Sequence, residues 1–194
     1  MIKLGVLGST KGTDLQAILN AIKGGDLDAA VSVVISNKES AYILHRARNH
    51  NIPTVFISHT GKDRKEFDGK MTTVLKEHGV DLILLIGFMR ILSPKFCRKW
   101  HGQVLNVHPS LLPKYAGGVD TAVHKEVLMN GDAKTGCTIH FVTEEVDRGP
   151  ILIQKTCSVD SNDTVDSLKT KVQDIEGVAF IEAIKLIQNN SRVT

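Results

Sequence analysis

At 194 residues, with 42% hydrophobic and 23% charged residues, the chain has the composition of a soluble globular protein able to bury a substantial core, and nothing suggests disorder or low complexity. The formal net charge of +3 is scattered; it permits anionic small ligands but supplies no basic stripe with interleaved aromatics, so nucleic acid is not an expected partner. The longest apolar runs, such as Leu82–Ile86, are too short to cross a membrane, and Met1-Ile2-Lys3-Leu4 enters a strand pattern at once instead of a signal peptide. A cytoplasmic protein is expected. Cys97, Cys137 and Cys157 are odd in number and lack C-x-x-C spacing, which argues for small buried hydrophobes instead of a disulfide framework or a zinc knuckle.

The apolar run 2–7 reads as a first strand, and it breaks into Gly8-Ser9-Thr10-Lys11-Gly12-Thr13-Asp14 ahead of the helical spacing Leu15, Ile18, Leu19, Ile22. A glycine-bearing loop that opens a helix exposes main-chain N–H groups at a positive dipole end, a ready anion site, with Thr13 or Asp14 as the expected N-cap. The loop is not a Walker A sequence and does not match G-x-G-x-x-G. The second strand, 31–35, ends in Ser36-Asn37-Lys38 without an acid, which disfavours a nicotinamide cofactor. A helix over 41–50, a short strand 54–57 and an amphipathic helix over 62–78 continue a β-α-β alternation that implies a parallel sheet with right-handed crossovers.

Two further strands, 81–86 and 104–107, each deliver special residues at their carboxyl ends. Gly87 and the apolar Phe88-Met89-Arg90-Ile91-Leu92 follow the first, and Ser93-Pro94 then opens a short helix through Trp100. Asn106 and His108 end the second, with Pro109 and Pro113 stiffening the exit. In an open α/β sheet the ligand crevice lies beyond those ends, where Asn106 offers a neutral amide and His108 a proton carrier near neutral pH. On spacing alone, an Asn-x-His is more often a turn with a satisfied histidine than a catalytic pair. A loop, Lys114-Tyr115-Ala116-Gly117-Gly118-Val119-Asp120, precedes a helix over 121–130; strands 135–142 and 151–159 flank an acidic turn and read as an antiparallel pair. His140 alternates with Ile139 and Phe141 and reads as a packing histidine that supports the neighbouring turn. One long helix spans 163–189.

GFMRILSP, NVHPSLLPKYAGG and HFVTEEVDRGPILIQ together resemble the formyltransferase family that uses 10-formyltetrahydrofolate, and the likeness runs from STKGTDLQAI to Gln173 and Glu176. The resemblance implies one α/β domain over residues 1–194, of the Rossmann-like formyltransferase fold: a mostly parallel twisted sheet with helices on both faces and an antiparallel edge. It implies transfer of the formyl group of 10-formyltetrahydrofolate to the amine of glycinamide ribonucleotide in de novo purine biosynthesis, with no metal, by a monomer or homodimer. Asn106, His108 and Asp147 become the catalytic set, with Asp147 expected to raise the imidazole pKa. Gly12, Thr13, Asp14, Gln173 and Glu176 become ribonucleotide contacts. Arg64, Met89, Arg90, Ile91, Leu92, Thr143, Glu144, Glu145 and Val146, with Asn106 and Asp147, become folate contacts.

The chain departs from the commonest family pattern in carrying Thr13-Asp14 where Ser-Asn is usual, and in a longer loop before residue 121. A carboxylate beside a phosphate is repulsive unless it points away. Other readings are a deformylase releasing formate, which usually carries an N-terminal regulatory domain, or transfer to another amine. A tRNA substrate is not expected, because methionyl-tRNA formyltransferases carry an extra C-terminal barrel. Different classes are a hydrolase with a metal on His108, His140 and Asp147, or a non-catalytic folate-binding module.

Overall fold

The computed structural model describes residues 1–119 and 121–191. In chain order the elements are β1 (Ile2–Gly8), α1 (Thr13–Lys23), β2 (Ala29–Ser36), α2 (Tyr42–Asn49), β3 (Thr54–Phe56), α3 (Arg64–Glu77), β4 (Leu82–Ile86), α4 (Pro94–Lys99), β5 (Val104–His108), α5 (Thr121–Met129), β6 (Lys134–Phe141), β7 (Ile151–Ser158) and α6 (Val165–Ser191). The strands form one seven-stranded sheet in the order β3-β2-β1-β4-β5-β6-β7. The five strands from β3 to β5 are parallel, and β6 and β7 add an antiparallel edge. This is the architecture expected from the sequence.

The run LILLI of β4 is continuous because the sheet is covered on both sides. Its side chains alternate between two cores. Leu82, Leu84 and Ile86 pack with Leu15 and Ile18 of α1, Ile43 of α2 and Phe180 of α6. Ile83 and Leu85 face the other way, into Phe67 and Met71 of α3 and Phe96 of α4. Cys97 and Cys137 are buried and Cys157 half-buried, all as free thiols. Among the described residues, no helix is long and apolar enough to cross a membrane.

Local signals explain most boundaries. Asp63 caps α3, its carboxylate accepting from the Glu66 N–H at 2.7 Å, so that helix begins at Arg64. Ser93 caps α4 with Pro94 in the first turn, as its sequence predicts. α1 differs from expectation. Gly12, not Thr13 or Asp14, holds the N-cap position, with φ 68° and no side-chain cap. A Cβ there would lie 2.4 Å from Cγ1 of Ile43, so both the left-handed backbone and the approach of α2 require glycine. Asp14 is thereby released from the cap and carried inward, to 4% exposure.

Topologically, the chain lays β1, β2 and β3 outward in one direction, then returns to place β4 and β5 on the other side of β1. The β1–α1 loop and the loop after β4 therefore emerge side by side at the switch point, where open α/β sheets hold their ligands. Ser9 ties them together: its N–H donates to the Gly87 carbonyl at 3.1 Å, and its hydroxyl accepts from the Met89 N–H at 3.1 Å while donating to Oδ1 of Asn37 at 2.6 Å. Asp120, the last residue of the longer loop, lies outside the described residues.

Candidate active site

A cavity of about 330 Å³ opens beyond the carboxyl ends of β4 and β5. Gly87, at φ 58°, turns the chain out of β4; a Cβ there would lie 2.1 Å from the Thr10 hydroxyl. Met89, Arg90, Ile91 and Leu92 follow as one wall, and Thr143, Glu144, Glu145 and Val146 form another. Met89 and Ile91 are exposed, while Leu92 is buried. The Arg90 guanidinium stacks on Phe67, 4.8 Å from the ring centroid, and its Nε has no hydrogen-bond partner.

Asn106, His108 and Asp147 converge at the floor. Asn106 and His108 share β5, and the antiparallel register pairs Asn106 with His140 and His108 with Thr138 on β6. Asp147 enters from the β6–β7 turn with φ 54°, a left-handed conformation that a non-glycine residue keeps only where its surroundings hold it. Its Oδ2 lies 3.2 Å from Nδ1 of His108 and accepts from the Gly117 N–H at 2.9 Å. Its Oδ1 lies 3.6 Å from Nε2 of His140. His140 Nδ1 lies 3.0 Å from the Phe141 carbonyl, and the same Nε2 that faces Asp147 lies 3.2 Å from the Asn106 amide nitrogen. The second Asn106 amide hydrogen remains for a ligand. Nε2 of His108 lies 3.0 Å from the Tyr115 carbonyl.

The charge states follow from burial and partners. Burial alone would raise the Asp147 carboxyl, but the His140 hydrogen bond, the Gly117 N–H and the two imidazoles together hold it below the usual carboxylate range. His108, 3% exposed, is pushed below the ordinary imidazole value by burial and, to a smaller extent, by His140; Asp147 and the Tyr115 carbonyl push the other way and are outweighed. Asp147 thus pushes the His108 imidazole up, as expected from the sequence, but burial outweighs it. Burial acts against the charged ring, while both of its nitrogens face acceptors, so a proton taken up by the ring finds a partner at once.

The remaining sequence candidates lie outside this cavity. Arg64 is exposed at the first turn of α3. Gly12, Thr13 and Asp14 open α1, and Gln173 and Glu176 lie on α6, which packs against it: a Cβ on Gly177 would lie 3.9 Å from the Asp14 Cα. Asp14 is pushed up to about 7 by burial, against which a Thr13 hydrogen bond acts only weakly, and its Oδ1 has no partner. The buried Glu176 and Asp14 face one patch, since both help burial push the Cys137 thiol up to about 12. The carboxylate anticipated beside a phosphate is thus turned into the protein, where it holds its proton far more tightly than an ordinary aspartate.

His140 is buried against Asp147 of the neighbouring turn, as expected from the sequence, but sequence reasoning missed its contact with Asn106 and the part played by the Tyr115 carbonyl. Only strand register discloses the first, and a main-chain group has no signature in the sequence. Among the described residues no group of three or more His, Cys, Asp or Glu side chains is arranged to hold a metal ion.

Residues 2–184 match the formyl transferase family. The chain belongs to that family. Similar members include the phosphoribosylglycinamide formyltransferase of Haemophilus influenzae, 41% identical over 95% of this chain and 86% of that protein. The trifunctional purine biosynthetic protein adenosine-3 of Gallus gallus is 44% identical over 98% of this chain, which spans only 19% of the length of that larger protein. Among solved formyl transferase structures, glycinamide ribonucleotide transformylase 1 from Symbiobacterium toebii superposes with a TM-score of 0.93 at 37% identity, covering 98% of this chain and 89% of that one.

Proposed function

We propose that this chain transfers the formyl group of 10-formyltetrahydrofolate to the primary amine of glycinamide ribonucleotide, yielding formylglycinamide ribonucleotide and tetrahydrofolate in purine biosynthesis. The observation that carries the reading is the convergence of Asn106, His108 and Asp147 on the floor of one folate-sized cavity. Names and identities of the relatives support it.

In this reading the amine nitrogen attacks the formyl carbon, whose carbonyl oxygen becomes an oxyanion. The free Asn106 amide hydrogen and His108 receive that oxygen. His108, neutral at rest, takes up the proton released as the amine adds, and Asp147, ionised and 3.2 Å away, stabilises the imidazolium. The C–N10 bond then breaks and the proton passes to N10, regenerating neutral His108. Met89, Arg90, Ile91, Leu92, Thr143, Glu144, Glu145 and Val146 hold the pterin and its linker, and Arg64 faces the acidic tail. The N–H groups of Gly12, Thr13 and Asp14 take the phosphate, with Gln173 and Glu176 on the sugar. One domain suffices for both substrates, in the cytoplasm.

The ultraviolet change on deformylation of 10-formyltetrahydrofolate, followed with and without glycinamide ribonucleotide, tests the proposal. Loss dependent on the ribonucleotide, with formylated product, is expected. Loss without it, accompanied by formate, assigns a deformylase instead.

A further inference from the structure

One feature of the site belongs to neither substrate wall. Tyr115 stands at φ 63°, left-handed and not glycine, in the loop after β5. Such a backbone persists only where other contacts hold it, and Tyr115 is held at both ends of its side chain. The ring packs on Val123, Val127 and Leu168, and the hydroxyl donates to Oδ2 of Asp132 at 2.7 Å while accepting from the Asn130 amide at 2.9 Å. Lys114 pairs with the other Asp132 oxygen, and these two bonds, from Lys114 first and Tyr115 second, hold the Asp132 carboxyl below its usual range. The following glycine is part of the device: a Cβ on Gly118 would lie 2.7 Å from Cγ2 of Val123 and 3.1 Å from the Tyr115 oxygen.

The product of all this anchoring is the direction of one carbonyl, which meets Nε2 of His108 at 3.0 Å. Asp147 occupies Nδ1, so Nε2 is the nitrogen left for a substrate. We infer that Tyr115, anchored by Asp132, is a positioning residue for His108: it keeps a main-chain acceptor on Nε2, holding the ring in its working orientation until the formyl oxygen takes that place. The inference rests on the reading of His108 as the proton carrier. Besides this carbonyl, the groups that face the ring among the described residues are Asp147 from the β6–β7 turn, His140 from β6 and the uncharged Asn106 beside it on β5. Asp132 reaches it only through Tyr115.

The test follows the His108 imidazole by NMR in the ligand-free full chain, its signal assigned by its loss in His108→Asn, together with the pH profile of kcat. Tyr115→Phe removes the hydroxyl anchor, and Asp132→Ala removes its acceptor. Because the carbonyl favours the imidazolium, both variants are expected to move the His108 midpoint to lower pH, shift the acid limb of the kcat profile with it, and lower kcat about tenfold with both KM values little changed. An unaltered midpoint in both variants overturns the inference, as does a shifted midpoint with parental kcat. If Tyr115→Phe fails to fold, Asp132→Ala decides alone. Should the parent protein transfer no formyl group to the ribonucleotide, the functional reading falls, while the His108 titration still shows whether Asp132 and Tyr115 set the state of the ring.

Discussion

Asp14 and Asp147 are both aspartates withdrawn from solvent, and their proton affinities are moved in opposite directions. Asp147 has an imidazole, a second imidazole and a main-chain N–H around it, and remains an anion. Asp14 has an oxygen with no partner and a second acid, Glu176, near the same patch, and its carboxyl is pushed up to about 7. Burial by itself pushes both acids toward the neutral form; the number of donors turned toward each decides which one keeps its charge. The proposed reaction uses the difference. An anion beside His108 stabilises a transient imidazolium, whereas an anion in the first turn of α1 would repel a phosphate.

The largest effect expected on this contrast comes from abolishing the charge at Asp147. Asp147→Asn keeps the shape and removes the anion, and turnover in the ribonucleotide-dependent assay is expected to fall about 100-fold or more, with a similar loss for His108→Asn. A folded variant with near-parental turnover removes its residue from the mechanism.

Asp14→Asn probes the other side. A carboxyl whose folded pKa is raised binds its proton more tightly in the native state, so its contribution to stability is fully present below the unfolded value of 3.8 and is lost as pH rises through about 7. Asparagine escapes that loss. The melting temperature of Asp14→Asn is therefore expected to exceed that of the parent by several degrees at pH 8 and by progressively less as the pH falls toward 4, read by thermal scanning across that range. A gap independent of pH means that Asp14 is already paired and charged.

Arg98→Ala is the smallest test, and it isolates exposure. Arg98 and Glu144 form an ion pair at 2.7 Å on the turn that also carries Asp147, but with side chains 66% and 45% exposed. Water screens such a pair to below about 1 kcal/mol, so chemical denaturation of Arg98→Ala should match the parent within that amount. A larger loss would show that this pair holds the turn for Asp147.

Much of this was legible in the order of residues. The continuous run Leu82–Ile86, the Ser93-Pro94 helix start and the long periodic helix after β7 each follow from local patterns. Asn106 and His108 were visible because they end a strand just before proline. His140 was not, since its role depends on the register that sets it opposite Asn106, and register is a relation between segments 34 residues apart. Asp14 was misplaced for a related reason. As a helix-start residue it suits an N-cap, but the close approach of Ile43 to Gly12 moves the cap back and sends the carboxyl inside.

By itself, then, the sequence determined which segments become strands and helices, their alternation, and the family to which the chain belongs, because periodicity, glycine, proline and long motifs act through near neighbours along the chain. Only the tertiary structure decided that Asp147 loses its proton more easily and Asp14 holds its proton more tightly than an ordinary aspartate, that burial pushes His108 down, and that a carbonyl from Tyr115 stands on its ring. A proton's affinity depends on solvent removed and donors supplied by distant segments, and neither exists until those segments meet.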